Sequence, residues 1–303
     1  MTTPENAAAP DGSAPRVGFL GLGNMGAPMA ERLLDWAGGL TVCDMRDDVV
    51  APFTERGALS AGSGAELAKT CEVICVAVVS DDQVREVVDG PEGVLRTAAP
   101  GLVIAVHSTI GDQLAEELAA RCAEYGVEFV DAPISGGAMG AKSGRLAVMV
   151  GGTDAAYALV RAPFACFSDL VVHAGPAGAG TRMKLARNLI HFVAFTAATE
   201  AQRLAEVAGL DITALGKVVR HSDAVTGGPG AIMLRDNTAE IAEGDFWLPI
   251  LTHVRNLGEK DLALALELGA RLQVELPLGA LAIDRLGPGL GVPVDNSTSD
   301  KEL

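Results

Sequence analysis

Residues 16–34 read RVGFLGLGNMGAPMAERLL and hold the glycine pattern that decides the fold of the first half of the chain. An apolar run precedes the glycines and a helical pattern follows them, as in a dinucleotide-binding strand–turn–helix. There the first glycine permits a tight turn, the second lets the backbone approach a pyrophosphate, and the third allows the helix to pack on the strand. The helix N-terminus offers free N–H groups to the phosphates. We therefore expect a cofactor site formed by Gly21, Leu22, Gly23, Asn24, Met25 and Gly26.

The second strand pattern ends in Asp44. An acidic side chain at this place accepts hydrogen bonds from the ribose hydroxyls of NAD and repels the 2′-phosphate of NADP. Arg46 complicates the choice, because it could pair with a 2′-phosphate or simply with Asp47 or Asp48. Asp44 could also be a solvated turn carboxylate. We expect Asp44 and Arg46 to border the cofactor, with NAD favoured and NADP possible.

Short β-branched runs alternate with Ala/Leu/Glu-rich helical patterns throughout the first half. The predicted strands are RVGFL (16–20), LTVCD (40–44), VICVAVV (73–79), LVIAVH (102–107), VEFVDA (127–132), LAVMVGG (146–152) and LVVHAG (170–175). Strands that alternate with helices indicate βαβ units and a mostly parallel sheet with helices on both faces. The fold class is therefore α/β, with an N-terminal Rossmann-type doubly wound sheet.

The pattern changes after Gly180. Residues 181–209 form one long helical pattern that is apolar on several faces, so we expect it to be largely buried. Three further helical patterns follow without a convincing strand: 211–221, roughly 257–272, and 278–286. We expect an all-α C-terminal domain joined by the long helix. The predicted organisation is a disordered tail at 1–15, the Rossmann domain at 16–178, the helical substrate and oligomerisation domain at 179–290, and a tail at 291–303.

The chain has 303 residues, with 23 Lys+Arg against 39 Asp+Glu and a formal net charge of −16. Such an acidic surface disfavours binding to nucleic acid or anionic membranes. The five scattered cysteines fit a reducing compartment, and no run approaches the ~20 apolar residues of a membrane helix. The first fifteen residues resemble neither a signal peptide nor a mitochondrial presequence. We expect a cytoplasmic protein, and no metal, since no His/Asp/Glu cluster has ligand spacing.

Two further features suggest chemistry. DAPISGGAMGAKSG at 131–144 contains Ser135, Gly136 and Gly137, which either form a small anion-binding nest for a carboxylate or belong to a flexible glycine loop. Lys184 and Asn188 stand four residues apart on one face of the long helix. Because an apolar stretch follows, Lys184 should be buried, and a buried lysine needs a partner or a function.

Four sequence blocks together resemble the β-hydroxyacid dehydrogenase family, which includes 3-hydroxyisobutyrate dehydrogenase. They are GLGNMG at 21–26, DAPISGGAMGAKSG at 131–144, the G-x-x-x-K-x-x-x-N helix at 180–188 and EKDLALAL at 259–266. They occur in the order and at the spacing of the family, over roughly residues 16–287. The combination is highly specific, whereas any one block is not.

The resemblance implies a role for each matching residue. Lys184 would be the general acid/base, and Asn188 would hold it and the substrate. Ser135, Gly136 and Gly137 would bind the substrate carboxylate. The remaining positions would line the substrate or the cofactor: Ser108 at the substrate, Thr109 near the nicotinamide, Val79 and Ser80 along the cofactor, and Lys260 from the helical domain. Alternatively, Lys260 is a surface partner of Asp261.

The implied reaction moves a hydride between a short β-hydroxy acid, similar to 3-hydroxyisobutyrate, and NAD(P), in a homodimer or homotetramer. Burial, a neighbouring Lys260 and the nicotinamide ring would all disfavour protonated Lys184, which suits a general base. Two other functions compete: an imine reductase-like NADPH enzyme, against which Lys184 argues, and a catalytically inert nucleotide-binding relative.

The chain departs from the family pattern beside the matched blocks. Arg187 precedes Asn188, and His253 and Arg255 precede the EKDLALAL block. Either Arg187 or Arg255 pairs with a second anionic or polar group of a larger substrate, or these arginines form salt bridges within the protein, for example to Glu259. The exact substrate is therefore left open.

Overall fold

The computed structural model describes residues 14–293. The chain divides into two compact units, Met1–Arg187 and Asn188–Leu303. Most of the two predicted tails lies outside the described residues. At their inner ends, the Pro15 carbonyl accepts a hydrogen bond from the indole of Trp36 at 2.7 Å, and Val292 is buried in a small apolar cluster of the second unit.

Nine strands of the first unit form one sheet. They are β1 (Val17–Leu20), β2 (Leu40–Cys43), β3 (Leu59–Ser60), β4 (Val73–Val76), β5 (Val103–Val106), β6 (Glu128–Asp131), β7 (Ile134–Ser135), β8 (Leu146–Gly151) and β9 (Ser168–Gly175). The order is β3-β2-β1-β4-β5-β6-β8-β7, with β9 on β8. Strands β1 to β6 pair in parallel, while β8 is antiparallel to β6 and β7. The prediction of a mostly parallel sheet is confirmed.

Helices cover both faces of this sheet. They are α1 (Gly26–Glu31), α2 (Asp47–Thr54), α3 (Gly64–Ala68), α4 (Asp81–Asp89), α5 (Asp112–Ala123), α6 (Gly137–Ser143) and α7 (Asp154–Phe164). Alternate residues of a strand point to opposite faces. Accordingly, Val73 and Cys75 belong to one buried cluster, and Ile74 and Val76 to another. The two-sided core explains why the strands read as continuous apolar runs.

A long helix, α8 (Ala179–Val207), begins in the first unit and continues into the second. It is followed by α9 (Ile212–Thr226), α10 (Trp247–Leu272) and α11 (Pro277–Gly289). From residue 179 to residue 293 no strand occurs, as predicted. Helix α10 begins earlier than the predicted 257. Pro249 lies in its first turn, where proline breaks no intrahelical hydrogen bond.

The prediction that the apolar run after Lys184 is buried is wrong for the single chain. Leu189, Phe192 and Phe195 are 67%, 61% and 55% exposed. An apolar helix face can be covered by another chain as well as by its own core, so the pattern alone does not decide between the two. Within the described residues, no helix has the length and hydrophobicity needed to cross a membrane.

Candidate active site

The glycine turn after β1 requires glycine at two of its three positions for its own geometry. Gly21 has a φ of +94°, and a Cβ there would lie 2.4 Å from the Ala77 carbonyl oxygen. A Cβ on Gly26 would lie 1.9 Å from the carbonyl oxygen of Gly21. A Cβ on Gly23, in contrast, would meet no atom within 4 Å. The middle glycine therefore leaves open space at the backbone, which fits the close approach of a diphosphate.

Both oxygens of the Asp44 carboxylate are engaged at the end of β2. Oδ2 accepts a hydrogen bond from the Leu22 N–H at 2.7 Å, and Oδ1 accepts from the backbone N and Nε of Arg46 at 3.0 and 3.2 Å. Burial opposes ionisation of Asp44, but the hydrogen bonds from Arg46 and Leu22 outweigh it and lower its pKa below the ordinary value. Arg46 thus hydrogen-bonds to Asp44, a partner that differs from the predicted Asp47 and Asp48.

The ends of β4 and β5 are joined by the Ser108 hydroxyl. It donates to the Val78 carbonyl at 2.6 Å and accepts from the Val78 N–H at 3.1 Å. The hydroxyl that was expected at the substrate therefore holds two strand ends together. Thr109 next to it is exposed. In the parallel strands β1, β4 and β5, these carboxyl ends share the sheet edge that carries the glycine turn.

Val79 and Ser80 follow β4 at this edge. The Val79 side chain is 90% exposed. Ser80 is the N-cap residue of α4, and its side chain accepts a hydrogen bond from the Gln83 N–H at 3.2 Å. Both residues lie at the sheet edge that carries the glycine turn, and the Ser80 hydroxyl has a structural role of its own.

His107 is a buried residue with no role predicted from the sequence. Its Nδ1 lies 2.8 Å from the Ala132 carbonyl oxygen, and its ring packs edge-on against Phe164 and Phe167. Burial lowers the pKa of His107 to about 4. The ring is therefore neutral at pH 7 and donates from Nδ1, since a carbonyl only accepts. It joins the segment after β5 to the segment after β6. The sequence feature that could have indicated this role is a histidine at the end of an apolar strand pattern, LVIAVH at 102–107.

Lys184 is buried, as expected, with 8% of its surface exposed. Its Nζ donates a hydrogen bond to the Ile134 carbonyl at 2.5 Å. Burial lowers the pKa of Lys184, and the positive charge of Arg187 lowers it further. The sequence predicts Lys260 as this neighbouring charge, whereas the structure has Arg187 in that role. The Lys184 amine thus lies at the residue that directly precedes Ser135.

The segment at Ser135 has a defined conformation. Ser135 belongs to β7 and pairs with Ala147 of β8. Gly136 and Gly137 have φ values of +131° and +63°, and α6 begins at Gly137. An anion-binding nest alternates right- and left-handed residues. Gly136 and Gly137 both have positive φ, so they do not form the predicted nest. A carboxylate at this segment would instead meet the Ser135 hydroxyl and the first N–H groups of α6.

The remaining candidates lie on the helices of the second unit. Asn188 follows Lys184 by four residues on α8. Lys260, on α10, is 61% exposed at its side chain and forms an ion pair with Asp261 at 3.1 Å. Arg255 donates hydrogen bonds to the Asn256 side chain and the Pro293 carbonyl. Among residues 14–293, no group of three or more His, Cys, Asp or Glu side chains could hold a metal ion.

Comparisons with known proteins agree with this architecture. A family model for the NAD-binding domain of 6-phosphogluconate dehydrogenase matches residues 16–175, and one described as "NAD-binding of NADP-dependent 3-hydroxyisobutyrate dehydrogenase" matches 178–286. An uncharacterised oxidoreductase of Mycobacterium tuberculosis is 53% identical over 95% of this chain and 97% of its own length. L-threonate dehydrogenase of Cupriavidus necator is 33% identical over 88% and 87%.

A crystal structure of a putative oxidoreductase from Mycobacterium avium 104 is similar as well. It is 50% identical, covers 92% of this chain and 100% of its own, and has a TM-score of 0.88. The fold and the glycine turn define an oxidoreductase that binds a nicotinamide dinucleotide. More particularly, the chain belongs to the β-hydroxyacid dehydrogenase family.

Proposed function

We propose that this protein oxidises a short β-hydroxy acid, similar to 3-hydroxyisobutyrate, with NAD as the preferred acceptor and Lys184 as the general acid/base. One observation carries the proposal: the Lys184 amine is buried and lies 2.5 Å from the Ile134 carbonyl, beside Ser135. A lysine with a lowered pKa can be neutral near the working pH and accept a proton. The relatives support the hydroxy acid as substrate class.

In this mechanism the bound nicotinamide supplies the hydride acceptor. The Nζ atom of Lys184 accepts the proton of the substrate hydroxyl. The carbon that bears this hydroxyl gives up a hydride to the nicotinamide, and an aldehyde results. In the reverse direction, protonated Lys184 returns that proton to the aldehyde oxygen. Ser135, Gly136 and Gly137 hold the substrate carboxylate, and Asn188 orients Lys184 and the substrate.

The cofactor is held by the glycine turn and by the sheet edge beyond it. We place Val79 and Ser80 along the cofactor, Thr109 near the nicotinamide and Lys260 at the cofactor from the helical domain. Ser108 acts on the substrate side by fixing the segment that carries Thr109. The Asp44 carboxylate, ionised and close to the glycine turn, supports NAD, because it would repel the 2′-phosphate of NADP.

We also propose that a second copy of the chain covers the apolar face of α8 beyond Arg187. Leu189, Phe192 and Phe195 are too exposed for a free surface of a single chain. Light scattering coupled to gel filtration tests this. The wild-type protein should be a dimer or tetramer, and the Phe192→Glu variant should be shifted toward the monomer. A monomeric unaltered chain contradicts the proposal.

The function is tested by a screen of NAD- and NADP-linked oxidation. The compounds are 3-hydroxyisobutyrate, serine, glycerate, 4-hydroxybutyrate and larger β-hydroxy acids. Lys184→Ala should lose turnover of the active compound and retain cofactor binding, whereas Lys69→Ala, an exposed lysine of the first unit, should change neither. Unchanged turnover in Lys184→Ala contradicts the assignment. An imine reductase or an inert relative would oxidise none of these hydroxy acids.

A further inference from the structure

A buried carboxylate holds the start of the helix that carries Lys184. Asp131, the last residue of β6, is fully buried. Its Oδ1 accepts a hydrogen bond from the Gly178 N–H at 2.8 Å, and its Oδ2 accepts from the Thr181 N–H at 2.6 Å. The first N–H groups of a helix have no partner within the helix. Asp131 therefore caps α8 from a neighbouring strand.

Glycine allows the helix to come this close to the sheet. A Cβ on Gly180 would lie 2.3 Å from the Met149 carbonyl oxygen and 2.5 Å from that of Asp131. A Cβ on Gly151 would lie 2.3 Å from the Asp131 Oδ1. The first turn of α8 thus sits directly against the ends of β6 and β8, and backbone atoms form the contact. This explains the glycine of the G-x-x-x-K motif.

Lys184, one turn further along α8, contacts the chain just beyond β6, at the start of β7. Lys184 follows Thr181 by three residues, about one turn of helix, and its Nζ donates to the Ile134 carbonyl. Ile134 in turn follows Asp131 by three residues. The segments 131–134 and 181–184 are therefore joined at both ends, once by the carboxylate and once by the amine.

We propose that Asp131 is a positioning residue for Lys184: its two hydrogen bonds fix the first turn of α8, and so set where the amine meets the substrate. The inference rests on the proposed role of Lys184. Burying a carboxylate is unfavourable unless it is well hydrogen-bonded, and a buried apolar side chain would fill the space at lower cost. A directional acceptor, however, fixes the register of the helix against the strand.

Asp131→Asn tests the inference, because asparagine keeps the shape but turns one acceptor into a donor. We expect kcat to fall about tenfold or more, while the Kd for cofactor stays within about twofold. The pH profile of kcat for alcohol oxidation should also move. Burial is the main cause of the lowered Lys184 pKa. A less tightly held and better hydrated amine therefore has a higher pKa, and oxidation then requires a higher pH. Thr181→Pro removes the N–H that donates to Asp131 and keeps the carboxylate. The first turn of a helix tolerates proline, so the helix should still form. We therefore expect the same changes in kcat and in the pH profile.

Glu200→Gln is the matched control. The Glu200 carboxylate is 6% exposed and accepts from the N–H groups of Leu278 and Gly279 at 2.8 and 3.1 Å, at the start of α11. It should lower the Tm without moving the pH profile. The inference is overturned if Asp131→Asn and Thr181→Pro behave in the same way as this control. It is also overturned if the profile moves to lower pH, which the loss of a negative charge alone would produce.

Lys184→Ala, measured in parallel, separates this inference from the proposed function. If Lys184→Ala abolishes turnover and Asp131→Asn leaves kcat intact, only the positioning role fails. If Lys184→Ala retains turnover, the acid/base assignment itself fails.

Discussion

The Asp44 carboxylate accepts a hydrogen bond from the Leu22 N–H at 2.7 Å, which joins the end of β2 to the glycine turn after β1. The same carboxylate accepts two hydrogen bonds from Arg46. A residue that the sequence suggests for ribose recognition therefore also holds the backbone that approaches the diphosphate. The Asp44 side chain therefore links the proposed choice of cofactor to the geometry of the turn.

Asp44→Asn should weaken NAD use and narrow the preference for NAD over NADP. The charge that repels a 2′-phosphate is lost, and Arg46 is released from its ion pair. We expect kcat/KM with NAD to fall by about ten- to a hundredfold, in keeping with a lost charged hydrogen bond of ~1.5–3 kcal/mol. Steady-state kinetics with both cofactors measure this.

Arg46→Gln is the control, since it should lower only the use of NADP. An unchanged NAD/NADP ratio in Asp44→Asn would show that Asp44 does not select the cofactor.

Gly23→Ala and Gly26→Ala should behave differently. A Cβ on Gly23 meets no atom, whereas one on Gly26 would overlap the Gly21 carbonyl oxygen. Gly23→Ala should therefore leave the Tm within about 1 °C and raise the Kd for cofactor about tenfold or more, because the methyl group occupies the diphosphate space. Gly26→Ala should lower the Tm by several degrees, as strain in a packed turn does. Thermal unfolding and cofactor titration check both, and tight cofactor binding by Gly23→Ala would count against the site.

Arg187→Gln should move the pH profile of alcohol oxidation to higher pH. Oxidation requires neutral Lys184, so the rate rises as the pH passes the Lys184 pKa. The Arg187 charge lowers that pKa in addition to burial, and its removal raises it. Aldehyde reduction requires protonated Lys184 and should instead persist to higher pH in the variant. Rate profiles in both directions test this, and a shift to lower pH would contradict it.

His107→Phe should make the stability less dependent on pH. The folded protein holds this ring neutral with a pKa of about 4, against an ordinary value of 6.5. As the pH falls through this interval, the unfolded chain takes up the proton first, and the folded state loses stability. The difference corresponds to roughly 3 kcal/mol. Urea unfolding at pH 7.5 and 4 measures it; equal losses in the variant and the unaltered protein would show that His107 is not responsible.

The fold could be predicted largely from the sequence, because buried parallel strands leave continuous apolar runs. Strands β3 and β7 were not predicted, since two residues are too few to form a pattern. The burial of α8 was predicted wrongly. Apolar residues on a helix show that it needs a cover, but they do not show whether its own chain provides that cover.

The site was only partly predictable. The glycine turn and Lys184 follow from local spacing and from the family resemblance. The tasks of Asp131, His107 and Ser108 depend on backbone groups that are distant in sequence, namely the N–H groups of α8, the Ala132 carbonyl and Val78. Such partners leave no periodic or compositional trace, so only the folded chain reveals them.

The partner of the Lys184 amine is a peptide carbonyl, and this has a consequence for the proposed acid/base role. A carbonyl has no proton to give up, and it accepts a hydrogen bond from either a neutral amine or an ammonium, more strongly from the ammonium. The lysine can therefore stay tethered to Ile134 in both halves of the reaction while its lone pair or its spare proton faces the substrate. A carboxylate at the same place would have stabilised the ammonium and kept the proton. The neutral carbonyl favours the ammonium less than a carboxylate would, and so it can hold the lysine in place in both protonation states.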